Sequence, residues 1–122
     1  MKHATAGILG VLVGTSFLSS VATAAQPAPD AARGKQLFQQ ICTPCHAPGS
    51  PEGRNQFAGT ESLKNKYKGA VPAALEARQD LPVALIEFVV RNGTVTMPPF
   101  RKTEISDSEM HDIAAYLRKT PK

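Results

Sequence analysis

The sequence predicts an all-α domain, and three observations carry that prediction. Gly34, Leu37, Phe38 and Ile41 fall at i, i+3, i+4 and i+7, one face of a helix. Met110, Ile113, Ala114 and Leu117 give a second helical face near the end of the chain, behind a Ser106-x-x-Glu109 capping box. Between these two segments no sheet pattern is apparent.

The chain has 122 residues, enough for one small domain. Two cysteines make at most one disulfide, which excludes a disulfide scaffold. The net charge of +4 is small and scattered, so it gives no argument for nucleic acid. Met1, Lys2 and His3 form a short positive start, followed over 6–21 by an apolar run broken by Gly7, Gly10 and Gly14. Ala22-Thr23-Ala24 then supplies small residues for cleavage, so residues 1–24 read as a secretory signal peptide. The alternative is an uncleaved membrane anchor, but the run is short and polar toward its end. A lipoprotein would need a Cys at the cleavage site, and the only cysteines are Cys42 and Cys45. Cleavage leaves about 98 residues with a charge of about +3 and no stable membrane insertion. Residues 25–30 form an exposed lead-in and 31–122 the domain. A domain of this size gains from a cofactor that fills its core.

Asp30 is placed to cap a first helix over 31–41. Gly34 costs that helix stability, so its place on the apolar face predicts a close backbone neighbour. Residues 47–60, rich in Gly, Pro, Ser and Asn, read as loop. Short helices are expected over 61–67 and from Pro72 to about Arg78. A clearer helix spans 80–91, with Asp80 as its cap, Pro82 in its first turn and Asn92-Gly93 as its stop. Its apolar residues are Leu85, Ile86, Val89 and Val90. Met97-Pro98-Pro99-Phe100 cannot be helix interior. The last helix opens at Ser106, and Pro121 ends it.

The chemistry concentrates at Cys42-Thr43-Pro44-Cys45-His46, a C-x-x-C-H sequence and the signature of c-type haem attachment. Two thiols at this spacing add across the two vinyl groups of one haem, and His46 then lies under the iron as proximal ligand. A periplasmic location fits, because bacteria attach this group outside the cytoplasm. Two other readings compete with this one. A thioredoxin-type redox pair should follow a strand, whereas this motif follows a helix. A zinc site needs a fourth ligand, and His111 is the only spare His of the mature chain. For the second iron ligand, Met97 sits in a Pro-rich turn that can hold a thioether still, and enough chain separates it from His46 to pass round the haem. Met110 belongs to a helix core face, and His111 on the last helix is the weaker alternative.

The Gly34-x-x-x-Phe38 helix leading into Cys42-x-x-Cys45-His46, the Met97-Pro98 loop and the terminal helix with Tyr116-Leu117 resemble a class I c-type cytochrome over essentially the whole mature chain. The resemblance implies first and last helices that cross closely around one covalently bound haem, with Gly34 and Phe38 meeting the face around Tyr116. It implies a haem largely buried, with one edge exposed near the thioether bonds. Arg91-Asn92-Gly93 through Phe100, with Ser106-Asp107 opening the last helix, is similar to the small cytochromes that accompany periplasmic dehydrogenases. The cytochrome subunit of para-cresol methylhydroxylase and its alkylphenol or eugenol hydroxylase relatives form one such group. One feature departs from the family. Many members carry Gly-Pro after the haem motif, and that Pro carbonyl accepts from the proximal His. Here Gly59 is followed by Thr60, which leaves Pro48, Pro51 or another carbonyl for the task.

With His46 and Met97 both bound, iron has no open position and changes charge by one electron with little movement. That suits electron transfer, and nothing in this short chain binds flavin or quinone, so the chain is expected to be a carrier and not an enzyme. The first expectation is an electron acceptor for a flavoprotein or quinoprotein dehydrogenase of the periplasm. The alternatives are a free shuttle to a terminal oxidase or reductase, and a gas-binding haem protein with a displaceable sixth ligand. Lys64, Lys66 and Lys68 around Tyr67, with Arg101-Lys102, form either a docking patch for an acidic partner or ordinary solvated charge. Arg54, Asn55 and Tyr67 are candidates to meet the haem propionates.

Overall fold

The computed structural model describes residues 27–50 and 56–119, and among them the chain is helical with no strand. The expected signal peptide lies outside the described residues, as do Pro51, Arg54, Asn55 and Pro121. Among the described residues no helix is long and apolar enough to cross a membrane.

Helix α1 spans Ala31–Leu37, and the Asp30 carboxylate accepts from the Ala32 and Arg33 amides at 2.8 and 3.3 Å. The first helix was expected to run unbroken over 31–41. Instead it widens into a π turn at Phe38–Cys42 and then resumes as α2, Thr43–His46. Pro44 supplies the physical reason. A proline has no N–H for the carbonyl four residues back, here Gln40, and its ring crowds that carbonyl. In the wider turn the Thr43 amide donates to the Phe38 carbonyl, five residues back, and Pro44 falls in the first turn of α2, where a proline is tolerated.

Helix α3 spans Ala58–Tyr67, beginning earlier than expected inside the segment read as loop. It stops at Lys68, which adopts the left-handed conformation (φ 48°) and donates its amide to Lys64 O at 2.8 Å. The helix expected over 72–78 contracts to one 3-10 turn, Leu75–Ala77. Arg78 draws the chain out of it. Its buried guanidinium grips Asp80 (Nε–Oδ1 2.8 Å, Nη2–Oδ2 2.5 Å) and lies 4.7 Å from the centroid of the Tyr67 ring. Asp80 is therefore the partner of Arg78 and not a helix cap. Helix α4, Val83–Asn92, starts from Pro82, whose carbonyl accepts from the Leu85 and Ile86 amides.

Helix α5 spans Asp107–Lys119, opened by the capping box read from the sequence. Glu109 accepts from the Ser106 amide at 2.8 Å, and Ser106 Oγ accepts from the Glu109 amide at 3.3 Å. Phe38, Ile86, Ile105, Met110, Ile113 and Leu117 form the core. Ile86 faces inward on α4, whereas Leu85, expected beside it, is exposed.

α1 and α5 cross at Gly34. A Cβ built there would lie 1.9 Å from the Asp112 carbonyl oxygen and 2.9 Å from the Ile113 nitrogen, so backbone meets backbone. Next to the crossing Asp112 is almost fully buried. Its carboxylate accepts from the Asp30 amide at 2.7 Å and from Arg33 Nε at 2.5 Å, with Arg33 Nη2 also in contact. One turn on, the Phe38 and Tyr116 rings pack with centroids 5.7 Å apart.

Candidate cofactor site

The helical run from α1 delivers Cys42, Cys45 and His46 to the end of α2, where the chain leaves the helix at Ala47. Both thiols are free, Cys42 half-buried and Cys45 exposed. Burial, and secondarily the neighbouring Cys45, pushes the Cys42 thiol up to about 11. Catalytic dithiols of the redox type rely on the opposite, a lowered thiol that supplies thiolate. The motif also follows a helix, and among the described residues there is no strand. Nor does any group of three His, Cys, Asp or Glu side chains gather as a metal site among those residues.

His46 is half-buried, and burial holds its imidazole below the ordinary value of 6.5. The ring is therefore neutral near pH 7, the form that binds a metal. Its environment is built by α3. A Cβ at Gly59 would lie 2.6 Å from His46 Cε1 and 2.8 Å from Nδ1, so only glycine lets the start of α3 rest on the ring. Thr60, which follows Gly59, is buried and donates its hydroxyl to Ala47 O at 2.8 Å. It thus ties α3 to the residue after His46. His46 Nδ1 is buried with no hydrogen-bond partner, so Pro48 does not serve as its acceptor. A neutral, glycine-cradled imidazole next to two free thiols fits a haem bound through its edge and its iron.

Met97 is half-buried in the loop between α4 and α5. Gly93 starts this loop with φ at 70°, and a Cβ there would lie 2.6 Å from the Met97 carbonyl oxygen. The Thr94 amide donates to Met97 O at 2.8 Å, and the Met97 amide to Thr94 Oγ1 at 3.3 Å. The loop closes where the Phe100 amide donates to Val90 O at 2.8 Å. Met110, by contrast, is core, 1% exposed on α5. His111 lies on that same helix, half-buried.

Two arginines, Arg91 and Arg78, take roles that the sequence did not signal. Arg91 donates to Phe100 O at 3.1 Å and to Asp107 at 2.8 Å, and Lys102 takes the other Asp107 oxygen at 2.7 Å. Arg78 grips Asp80 and lies over the Tyr67 ring. Of the expected cationic patch, Lys64, Arg101 and Lys102 have acidic partners in Glu61, Glu104 and Asp107. Lys66 lies 5.2 Å from the Tyr67 ring centroid.

Residues 29–117 match the family described as Cytochrome C oxidase, cbb3-type, subunit III. The chain is 39% identical over 90 residues to cytochrome c6 of Synechocystis sp., covering 74% of this chain and 65% of that protein. It is 31% identical over 88 residues to the cytochrome c subunit of hydroxylating 4-cresol dehydrogenase from Pseudomonas putida, covering 72% and 60% respectively. It thus spans somewhat less than two thirds of these two relatives, but 89% of cytochrome c6 of Leptolyngbya boryana, at 34% identity and 72% of this chain. A crystal structure of p-cresol methylhydroxylase with substrate bound superposes with a TM-score of 0.50 at 32% identity, over 73% of this chain and 93% of that one. The close α1–α5 crossing, the C-x-x-C-H turn and these similarities together place the chain in the cytochrome c family, as a class I c-type cytochrome homologous to cytochrome c6 and to the cytochrome subunit of p-cresol methylhydroxylase.

Proposed function

We propose that this protein is an exported, periplasmic one-electron carrier that holds a single haem c through Cys42 and Cys45, with His46 and Met97 as the two iron ligands, and accepts electrons from a periplasmic dehydrogenase. The observation that carries the reading is the His46 site: a neutral, buried imidazole resting on Gly59, adjacent in sequence to two free thiols. Haem c, when bound, supplies an iron that gains or loses one electron.

This chain's residues do the rest. Cys42 and Cys45 fix the group covalently, so it survives repeated encounters with partners. His46 is held in one orientation by the start of α3, and Thr60 holds α3 in place. Met97 offers a soft thioether, which favours the ferrous state and raises the potential. With both positions taken by His46 and Met97, water and small gases would be kept from the iron and a change of charge would need little rearrangement. The dehydrogenase reading rests on similarity to the 4-cresol dehydrogenase cytochrome subunit. Similarity to cytochromes c6 supports a second reading as a free shuttle to a terminal oxidase or reductase. The two part on whether the native protein co-purifies with a large flavin- or quinone-containing subunit.

The test compares oxidised and reduced absorption spectra of the exported protein with those of Met97→Ala. A c-type spectrum with a weak near-infrared sulfur-to-iron band, lost in the variant, is expected. A band unchanged by the substitution would remove Met97 as ligand.

A further inference from the structure

Inside the loop that carries Met97, Thr94 and Met97 bond to each other in both directions, but neither bond ties the loop to a helix. The loop's two ends, at Gly93 and Phe100, meet over the last turn of α4. One backbone bond, Phe100 N to Val90 O, closes it. The second tie is a side chain. Arg91 sends Nη1 to the Phe100 carbonyl and Nη2 to Asp107, the first residue of α5. A single guanidinium thus joins the end of α4, the exit of the loop and the start of α5. Asp107 is itself braced by Lys102 on its other oxygen.

Two features say that this fork serves placement rather than bulk stability. The Arg91 side chain is only 16% exposed, yet its Nε is buried with no hydrogen-bond partner. An unsatisfied buried N–H is costly, and a position selected for packing alone would be better filled by an apolar residue. The fork geometry also needs arginine, because a lysine ammonium presents no fixed pair of parallel donors.

We propose that Arg91 is a positioning residue that keeps the Met97 loop closed, and so sets how often the Met97 thioether leaves the iron. The inference rests on Met97 being the iron ligand. Without the fork, the loop loses its tie to α5 and opens about Gly93, with the Phe100–Val90 bond as its remaining tie to α4 and the Thr94–Met97 pair moving with the loop. A ligand that competes with Met97 for ferric iron binds only to the open form, so its apparent affinity reports the open population.

The probe is imidazole, titrated into the oxidised, haem-loaded protein and followed by loss of the sulfur-to-iron band. Arg91→Gln is expected to bind imidazole about tenfold more tightly than wild type, as befits the loss of a charge-assisted bond in a half-buried site. Arg91→Lys should fall between the two, since it restores charge but not the fork, and it carries the test if Arg91→Gln does not load haem. Tyr116→Phe, which removes the hydroxyl bonded to Glu76 on the far half of α5, serves as the comparison and should bind imidazole as wild type does. The proposal is overturned if Arg91→Gln and Arg91→Lys match wild type, or if Tyr116→Phe shifts the affinity as much. If wild type lacks the band altogether, the Met97 assignment fails and this inference falls with it. A band present in wild type but insensitive to Arg91 isolates failure of the inference alone.

Discussion

Gly34→Ala offers the sharpest structural test of the helix crossing. In an isolated helix this change would help, because Gly is worse than Ala by about 0.5–1 kcal/mol. Here the added methyl would sit 1.9 Å from the Asp112 carbonyl oxygen, 2.4 Å from its carbon and 2.9 Å from the Ile113 nitrogen. All three are backbone atoms of α5, so no side chain can swing away. An ordinary carbon–oxygen contact is more than 3 Å, so the helices must part by roughly an ångström, and overpacking of this kind costs about 1–3 kcal/mol. Parting them also stretches the bonds from Asp30 N and Arg33 Nε to the buried Asp112 carboxylate, at 2.7 and 2.5 Å. A buried carboxylate that loses its donors adds about 1–3 kcal/mol. Set against the propensity gain, the net loss is about 1–5 kcal/mol, and its centre of about 3 kcal/mol corresponds to about 12–24 °C in melting temperature for a domain of this size. The assay is thermal unfolding of the haem-loaded variant and wild type, followed by far-UV circular dichroism. Equal or higher stability in the variant would refute the close-crossing argument.

Three further outcomes are expected. Gly59→Ala should displace the His46 ring, because its Cβ would meet Cε1 at 2.6 Å and Nδ1 at 2.8 Å; a shifted Soret band and lower haem occupancy would register it. Ser106→Ala should cost about 1 kcal/mol, the usual worth of an N-cap, read by denaturant titration. The Ser106 hydroxyl, then its amide, hold the Glu109 carboxyl below its ordinary 4.5, so its folded value lies under its unfolded one. That contribution is therefore present above the unfolded value and lost as pH falls through the folded one, and the gap between wild type and Glu109→Gln should narrow steadily in melts taken at pH falling below 4.5.

Much of this molecule is written locally, and those parts were legible. The Cys42–His46 turn, the Ser106–Glu109 box and the demand of Gly34 for a close neighbour each follow from a few adjacent residues. What the sequence hid depends on distant partners. Asp80 looks like a cap for α4, yet Arg78 holds it in a grip that only the folded chain reveals. Arg91 reads as the tail of an apolar helix until Phe100 and Asp107 are brought beside it. The π turn at Phe38–Cys42 had one available signal, the helix-incompatible Pro44 two residues beyond its end. Leu85 fitted the apolar stripe of α4, but Ile86 faces the core, leaving Leu85 toward solvent. The resemblance marked Gly59-Thr60 as the place beside the His46 ring, but that a helix starts there and rests on the ring was hidden, since the Gly-rich stretch reads as loop.

A potentiometric titration of the purified, haem-loaded protein, with the ferrous form then exposed to carbon monoxide, tests the central claim most directly. The account predicts one reversible wave with a slope of about 59 mV per decade, the value for a single electron, and a ferrous spectrum that carbon monoxide leaves unchanged. Ready carbon monoxide binding by the wild-type protein would contradict it, because the iron would then have a sixth position open to gas and Met97 would not hold it.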